Sequence, residues 1–159
     1  MGGVLVVTKV EKVVDEVARA IKNNNLPCIF ISLNKSKEGT EDQLKSYGVK
    51  LDNLYFIDLI SETGNKDEDC IRIKPRELNK LFDAIKIFSE ELDGKKLIII
   101  DSLVTLLIYN NQNTVAAFLK RLTDYTRNEK LDLIAISQET QGEDMLDKIY
   151  NFFDKVEKK

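Results

Sequence analysis

The chain has 159 residues, 43% hydrophobic and 32% charged, the composition of a single globular domain rather than a fibrous or disordered chain. Its 24 basic and 27 acidic side chains leave a net charge of −3, so no cationic excess exists to neutralise phosphates and direct nucleic-acid binding is not expected. There is no histidine, which removes the commonest general base and metal ligand together.

Strand and helix patterns alternate from the start, the sign of a parallel sheet covered by helices. Val4 to Val7 reads as the first strand. A helix over about 9–24 places Val10, Val13, Val14, Val17 and Ile21 on one apolar face. At the junction, Thr8-Lys9-Val10-Glu11 has the form of a capping box: Thr8 accepts from the Glu11 amide, and the Glu11 carboxylate reaches back to Thr8. Cys28 to Leu33 is the second strand. A short helix over about 40–48 is expected to start at Thr40, with Gln43 three residues on, and to end at Gly48. Leu54 to Ile60 forms the third strand, residues 61–70 a polar, acidic loop, and Ile71 to Ile73 a brief extended segment. Pro75 fits the first position of the next helix. That helix aligns Leu78, Leu81, Phe82, Ile85, Phe88 and Leu92, and stops at Gly94.

Leu97-Ile98-Ile99-Ile100-Asp101-Ser102 follows. Four large apolar residues in a row suit a strand buried on both faces. Asp101 then falls at its carboxyl end, where open α/β sheets place their ligand chemistry. Leu103, Val104, Leu106, Leu107, Ile108 and Tyr109 form a second apolar group. A helix apolar around most of its surface needs cover on more than one side. A helix over about 112–128, a fifth strand from Leu131 to Ser137 and a helix over about 142–153 with Met145, Ile149, Phe152 and Phe153 complete the chain. The expected fold is a three-layer α/β/α sandwich with a mainly parallel sheet of about five strands, one domain over 1–159. Cys28 is expected in the core and Cys70 partly exposed, with no disulfide between them. No signal peptide or membrane span is read, so a cytoplasmic location is the default.

A phosphate-binding loop needs glycines between the first strand and helix, and a lysine before Ser or Thr. Neither is present. If the capping box at Thr8 fills the first amides, an anion finds no free donors there.

In order and spacing, the segments resemble the RecA/KaiC-like ATPases, particularly the archaeal KaiC-like proteins. Ile29-Phe30-Ile31-Ser32-Leu33 with Asn34-Lys35-Ser36 looks like that family's second strand, and Asp42 to Val49 like its next short helix. Ile98-Ile99-Ile100-Asp101-Ser102-Leu103 resembles its Walker B strand, and Thr114 to Leu122 the helix after it. Leu133-Ile134-Ala135-Ile136-Ser137-Gln138-Glu139 looks like its sensor strand, and Phe153 to Val156 like the start of its terminal strand. The resemblance implies a RecA-like sheet without Walker A. The family's catalytic glutamates follow the second strand, where this chain has Asn34 and Lys35; neither can activate a hydrolytic water. Hydrolysis, and with it a cofactor or metal, is therefore not expected.

Thr8, Asn34, Asp101, Ser102, Ser137 and Gln138 should gather along the carboxyl edge of the sheet, as polar caps or as a remodelled pocket. In RecA-like assemblies neighbouring subunits often meet near the segment after Walker B, so Leu103, Leu106, Leu107, Ile108 and Tyr109 are candidate interface residues. The leading expectation is a non-catalytic domain working through protein contacts, as a homodimer, a higher oligomer or a subunit of a regulatory complex. The alternative is a non-hydrolysing domain that senses a nucleotide or other small ligand at the sheet edge.

Overall fold

The computed structural model describes residues 2–61, 70–139 and 144–159, and the side chains at 144 and 145 are not among those described. The loop expected within 61–70, the start of the last helix at 142 and the place of Met145 thus lie outside the described residues, apart from Ser61 and Cys70.

Among the described residues seven strands form one sheet, in the order β4-β3-β2-β5-β6-β1-β7. They are β1 Gly3–Thr8, β2 Cys28–Ser32, β3 Leu54–Asp58, β4 Cys70–Arg72, β5 Leu97–Ile100, β6 Asp132–Gln138 and β7 Lys155–Lys158, and all their pairings are parallel. The helices are α1 Val13–Asn24, α2 Lys37–Ser46, α3 Leu78–Glu91, α4 Leu103–Tyr109, α5 Gln112–Asn128 and α6 Asp144–Ile149. The sheet therefore exceeds the expected five strands by two. Both additions are edge strands: β4 has three residues, and β7 reads Lys-Val-Glu-Lys. Short, charged edges lack the apolar run that marks a buried strand, and they discourage pairing with another chain.

The central strands show why the apolar runs were legible. Leu97 to Ile100 are each at most 1% exposed, because successive side chains enter opposite layers. Ile98 and Ile100 join the core with Leu81, Ile85 and Leu119, while Leu97 and Ile99 join Val13, Val17 and Leu44 on the other face. Each such side chain contributes roughly 1.5–3 kcal/mol by leaving water.

Several local expectations fail, each for a physical reason. Thr8 does not cap a helix. It is the last residue of β1, in register with Gln138, and a 3₁₀ turn over Val10–Lys12 follows with Lys9 at its cap and no side-chain hydrogen bond there. This tighter turn also rotates Val10 off the apolar face, leaving it 69% exposed. The helix expected from Thr40 begins at Lys37 instead, because Ser36 accepts the Gly39 amide at 3.2 Å and so becomes the cap. Pro75 lies in a turn three residues before α3 rather than at its first position. Cys70 is buried, not partly exposed, and neither cysteine forms a disulfide. Among the described residues no helix is long and apolar enough to cross a membrane.

Candidate functional site

The two-residue period of the strands sorts the polar edge residues into two groups. Thr8 follows Val4 and Val6, Gln138 follows Ile134 and Ile136, and Asp101 follows Leu97 and Ile99, all members of the core beneath α1. These three residues thus belong to the α1–α2 side. Ser137 falls in the alternate set with Leu133 and Ala135, on the opposite face, and its hydroxyl donates only to the Gln138 carbonyl, at 3.4 Å. Ser102 is the cap of α4: its Oγ accepts the Thr105 amide at 3.2 Å and donates to Gln138 Oε1 at 3.1 Å. It fixes the Gln138 side chain rather than facing a ligand.

Between α1 and α2, above the carboxyl edge, a cleft of about 270 Å³ opens to solvent. One wall is apolar, built from Val10, Val13, Val14 and Val17, with Phe30 and Leu44 deeper in. The other side carries Asn34, Lys35, Thr40, Gln43, Asp101 and Gln138. Of the six predicted edge residues, Asn34, Asp101 and Gln138 line this cleft. Thr8 sits beside it in the ladder, its hydroxyl fully buried with no hydrogen-bond partner among the described residues.

Asp101 is 5% exposed. Its Oδ1 accepts the Leu33 amide at 2.8 Å, and the Asn34 side-chain amide donates to its main-chain carbonyl at 3.5 Å. Burial pushes its carboxyl up to about 7; the amides of Leu33 and Asn34 pull the other way without overcoming it, and the charge of Asp58 adds to the rise. Near neutral pH this group switches between a hydrogen-bond donor and a charged acceptor.

A second buried carboxylate, unnoticed in the sequence, stands two strands away. Asp58 ends β3 and is fully buried. Its Oδ1 accepts the Ile60 and Ser61 amides at 2.8 and 3.0 Å; its Oδ2 accepts the Lys37 amide, the Ser61 hydroxyl and the Arg72 guanidinium at 3.0, 3.0 and 2.7 Å. Burial acts to raise its pKa, yet the backbone and hydroxyl donors outweigh it and the carboxyl sits below its ordinary value. Asp58 ties β3, β4 and the start of α2 together. The signal was available: Phe56-Ile57-Asp58 repeats the apolar-run-then-carboxylate pattern of Ile99-Ile100-Asp101.

The candidate interface divides as well. Leu103 and Leu106 are core residues, at most 1% exposed, so they are not available to a partner. The short helix turns them onto the sheet because Ser102 caps it there. Leu107 is half-buried, while Ile108 and Tyr109 are 71% and 41% exposed.

Among solved structures, the chain is similar to a KaiC-like protein from the hyperthermophilic archaeon Pyrococcus horikoshii, with a TM-score of 0.71 over 98% of this chain and 69% of that one. At 9% identity the likeness concerns the fold, which is that of a KaiC-like, RecA-type α/β domain. No curated protein matches the sequence. A family model does match, over residues 7–148, from within β1 to within α6, and the chain belongs to that family, DUF835, described as a protein of unknown function.

Proposed function

We propose that this is a non-catalytic RecA/KaiC-like domain that binds a small ligand, without hydrolysing it, in the cleft between α1 and α2. The observation that carries the reading is Asp101: a buried carboxyl held by main-chain amides alone, with no charged partner, opening onto an apolar-walled space. Ligand sites of this kind pair a mostly apolar lining with a few convergent polar groups. Against hydrolysis stand the Thr8-Lys9-Val10-Glu11 junction, with no glycine to cradle phosphate, and Asn34 and Lys35 where the ATPases it resembles carry glutamates.

The test is a titration of the protein with a small-molecule library that includes ATP, ADP, GTP and cyclic nucleotides, with and without magnesium, followed through valine and leucine methyl resonances. The expected result is a ligand that shifts Val13, Val17 and Leu44 at millimolar concentration or below, and no phosphate release from ATP. A library that leaves those methyls unmoved would sink the ligand reading. Phosphate release abolished by Asp101→Ala would sink the non-catalytic one.

A second reading rests on α4. Ile108 and Tyr109 sit side by side and exposed on a helix whose other face is core, which fits a protein contact, either a second copy or another subunit of a complex. Light scattering is expected to give a mass above one chain that falls to one chain in Ile108→Asp. A single-chain mass for both proteins removes self-association.

A further inference from the structure

The cleft also has a chemical polarity, which narrows what can occupy it. We propose that its ligand is a small amphiphilic amine, with the ammonium at Asp101 and the apolar body along Val13, Val17 and Leu44. This rests on the reading of the cleft as a ligand site and goes beyond it in naming the class.

The apolar end follows from area. One wall offers four valines, against which the methylenes of a ligand leave water. The polar end follows from counting donors. A carboxylate presents about four lone-pair positions; the Leu33 amide, at 2.8 Å, fills one on Oδ1, and the main-chain amides of Asn34 and of Asp101 itself also bear on the carboxylate. Further along the edge Gln138 Oε1 already accepts the Ser102 hydroxyl. None of these donors carries charge, and an ionised carboxylate out of water lacks a counter-charge.

The charged groups around Asp101 decide the sign. From the β2–α2 connection comes Lys35, exposed at the rim, where water screens it. From β3 comes Asp58, whose charge disfavours a second anion nearby. The residues of α1 on the cleft wall are all valine, and α2 contributes Thr40, Gln43 and Leu44, so neither helix adds charge to the lining. A phosphate or carboxylate headgroup would meet the buried acid and gain only the screened lysine. An alcohol would supply one donor and no charge. An ammonium supplies three donors and the missing charge together.

The probes are hexylamine, hexanol and hexanoate, titrated into the full chain at pH 6 and pH 8 and read from the methyl shifts of Val13, Val17 and Leu44. Hexylamine stays protonated at both values, as a lysine does. It is expected to bind at least tenfold tighter than hexanol, and several-fold tighter at pH 8 than at pH 6, where Asp101 is largely protonated; hexanoate is expected not to bind. Asp101→Asn is expected to erase the preference for the amine while keeping the weak binding of hexanol. Val14→Phe, which narrows the cleft without touching Asp101, is expected to weaken all binding. Hexanoate binding as well as hexylamine, or amine affinity unchanged in Asp101→Asn, overturns the amine class and leaves the ligand site standing. No shift with any of the three overturns this inference, while the wider library judges the site itself.

Discussion

Asp58 ends β3 and Asp101 follows β5, on either side of β2, and the two carboxyls are 0% and 5% exposed. Asp58 has five donors on its two oxygens, one of them the charged guanidinium of Arg72 at 2.7 Å. Asp101 has only main-chain amides on its carboxyl, no charged partner, and an open cleft beyond it. Both are closed to solvent, Asp101 being set deeper in the protein, and the two groups shift in opposite directions, Asp58 below its ordinary value and Asp101 above it. Donors and depth together decide whether a buried acid is settled. The settled one holds the fold together, and the unsettled one is where a ligand gains most.

The strongest way to break this comparison is to remove Asp58. Asp58→Ala leaves three backbone amides and the Arg72 guanidinium without their acceptor. Removing one partner of a buried ion pair costs about 3–5 kcal/mol. Urea unfolding is expected to show a loss of that size. A loss under about 1 kcal/mol would mean that the network is no anchor. Asp58→Asn keeps the acceptor Oδ1 for Ile60 and Ser61 and is expected to cost less than Asp58→Ala.

Acidity separates the two carboxyls without removing either. The pKa of Asp58 is lowered on folding, so its stabilisation is present above about 3.8, the ordinary value, and is lost as pH falls through the folded one. The pKa of Asp101 is raised, so its contribution is fully present below about 3.8 and is lost as pH rises toward about 7. The stability of the free protein is therefore expected to climb out of acid and then decline toward neutrality. One pKa unit corresponds to about 1.4 kcal/mol, so Asp101→Asn, which keeps the acceptor for Leu33, is expected to stabilise the protein by up to about 4 kcal/mol at pH 8. At pH 4 the variant should be nearly neutral. Parallel curves for the two proteins from pH 4 to pH 8 would show that Asp101 does not titrate as a strained acid.

The contrast between the two acids also marks what could be read in advance. Leu97 to Ile100 and Leu133 to Ile136 announce their strands because side chains buried on both faces must be apolar, and Asp101 is conspicuous where such a run breaks. Asp58 ends a similar run, but its role depends on donors from Lys37, Ile60, Ser61 and Arg72, which only folding assembles. The edge strand at Lys155 to Lys158 has no apolar period because solvent takes one of its sides. Thr8 misled for a local reason: Thr-x-x-Glu spells a capping box only when the threonine stands outside the strand, and parallel pairing with β6 carries β1 one residue further. The cleft had no sequence signal, since its valines read as ordinary helix core. The 3₁₀ turn that exposes Val10 changes how that end of α1 meets the sheet.

Thr8 supplies the smallest and finest test. Its hydroxyl is buried with no partner among the described residues, in register with Gln138 on the ladder beside the cleft. A buried polar group without a hydrogen bond costs about 1–3 kcal/mol, and valine has nearly the same shape and suits a strand. Thr8→Val is therefore expected to stabilise the free protein by up to about 1 kcal/mol in urea unfolding. If Thr8 is held ready for a ligand, the same change should weaken hexylamine binding several-fold. A hydroxyl that is only a misfit at a strand end would raise stability and leave binding alone. That outcome would confine the ligand chemistry to Asp101 and draw the contrast with Asp58 down to a single pair of residues.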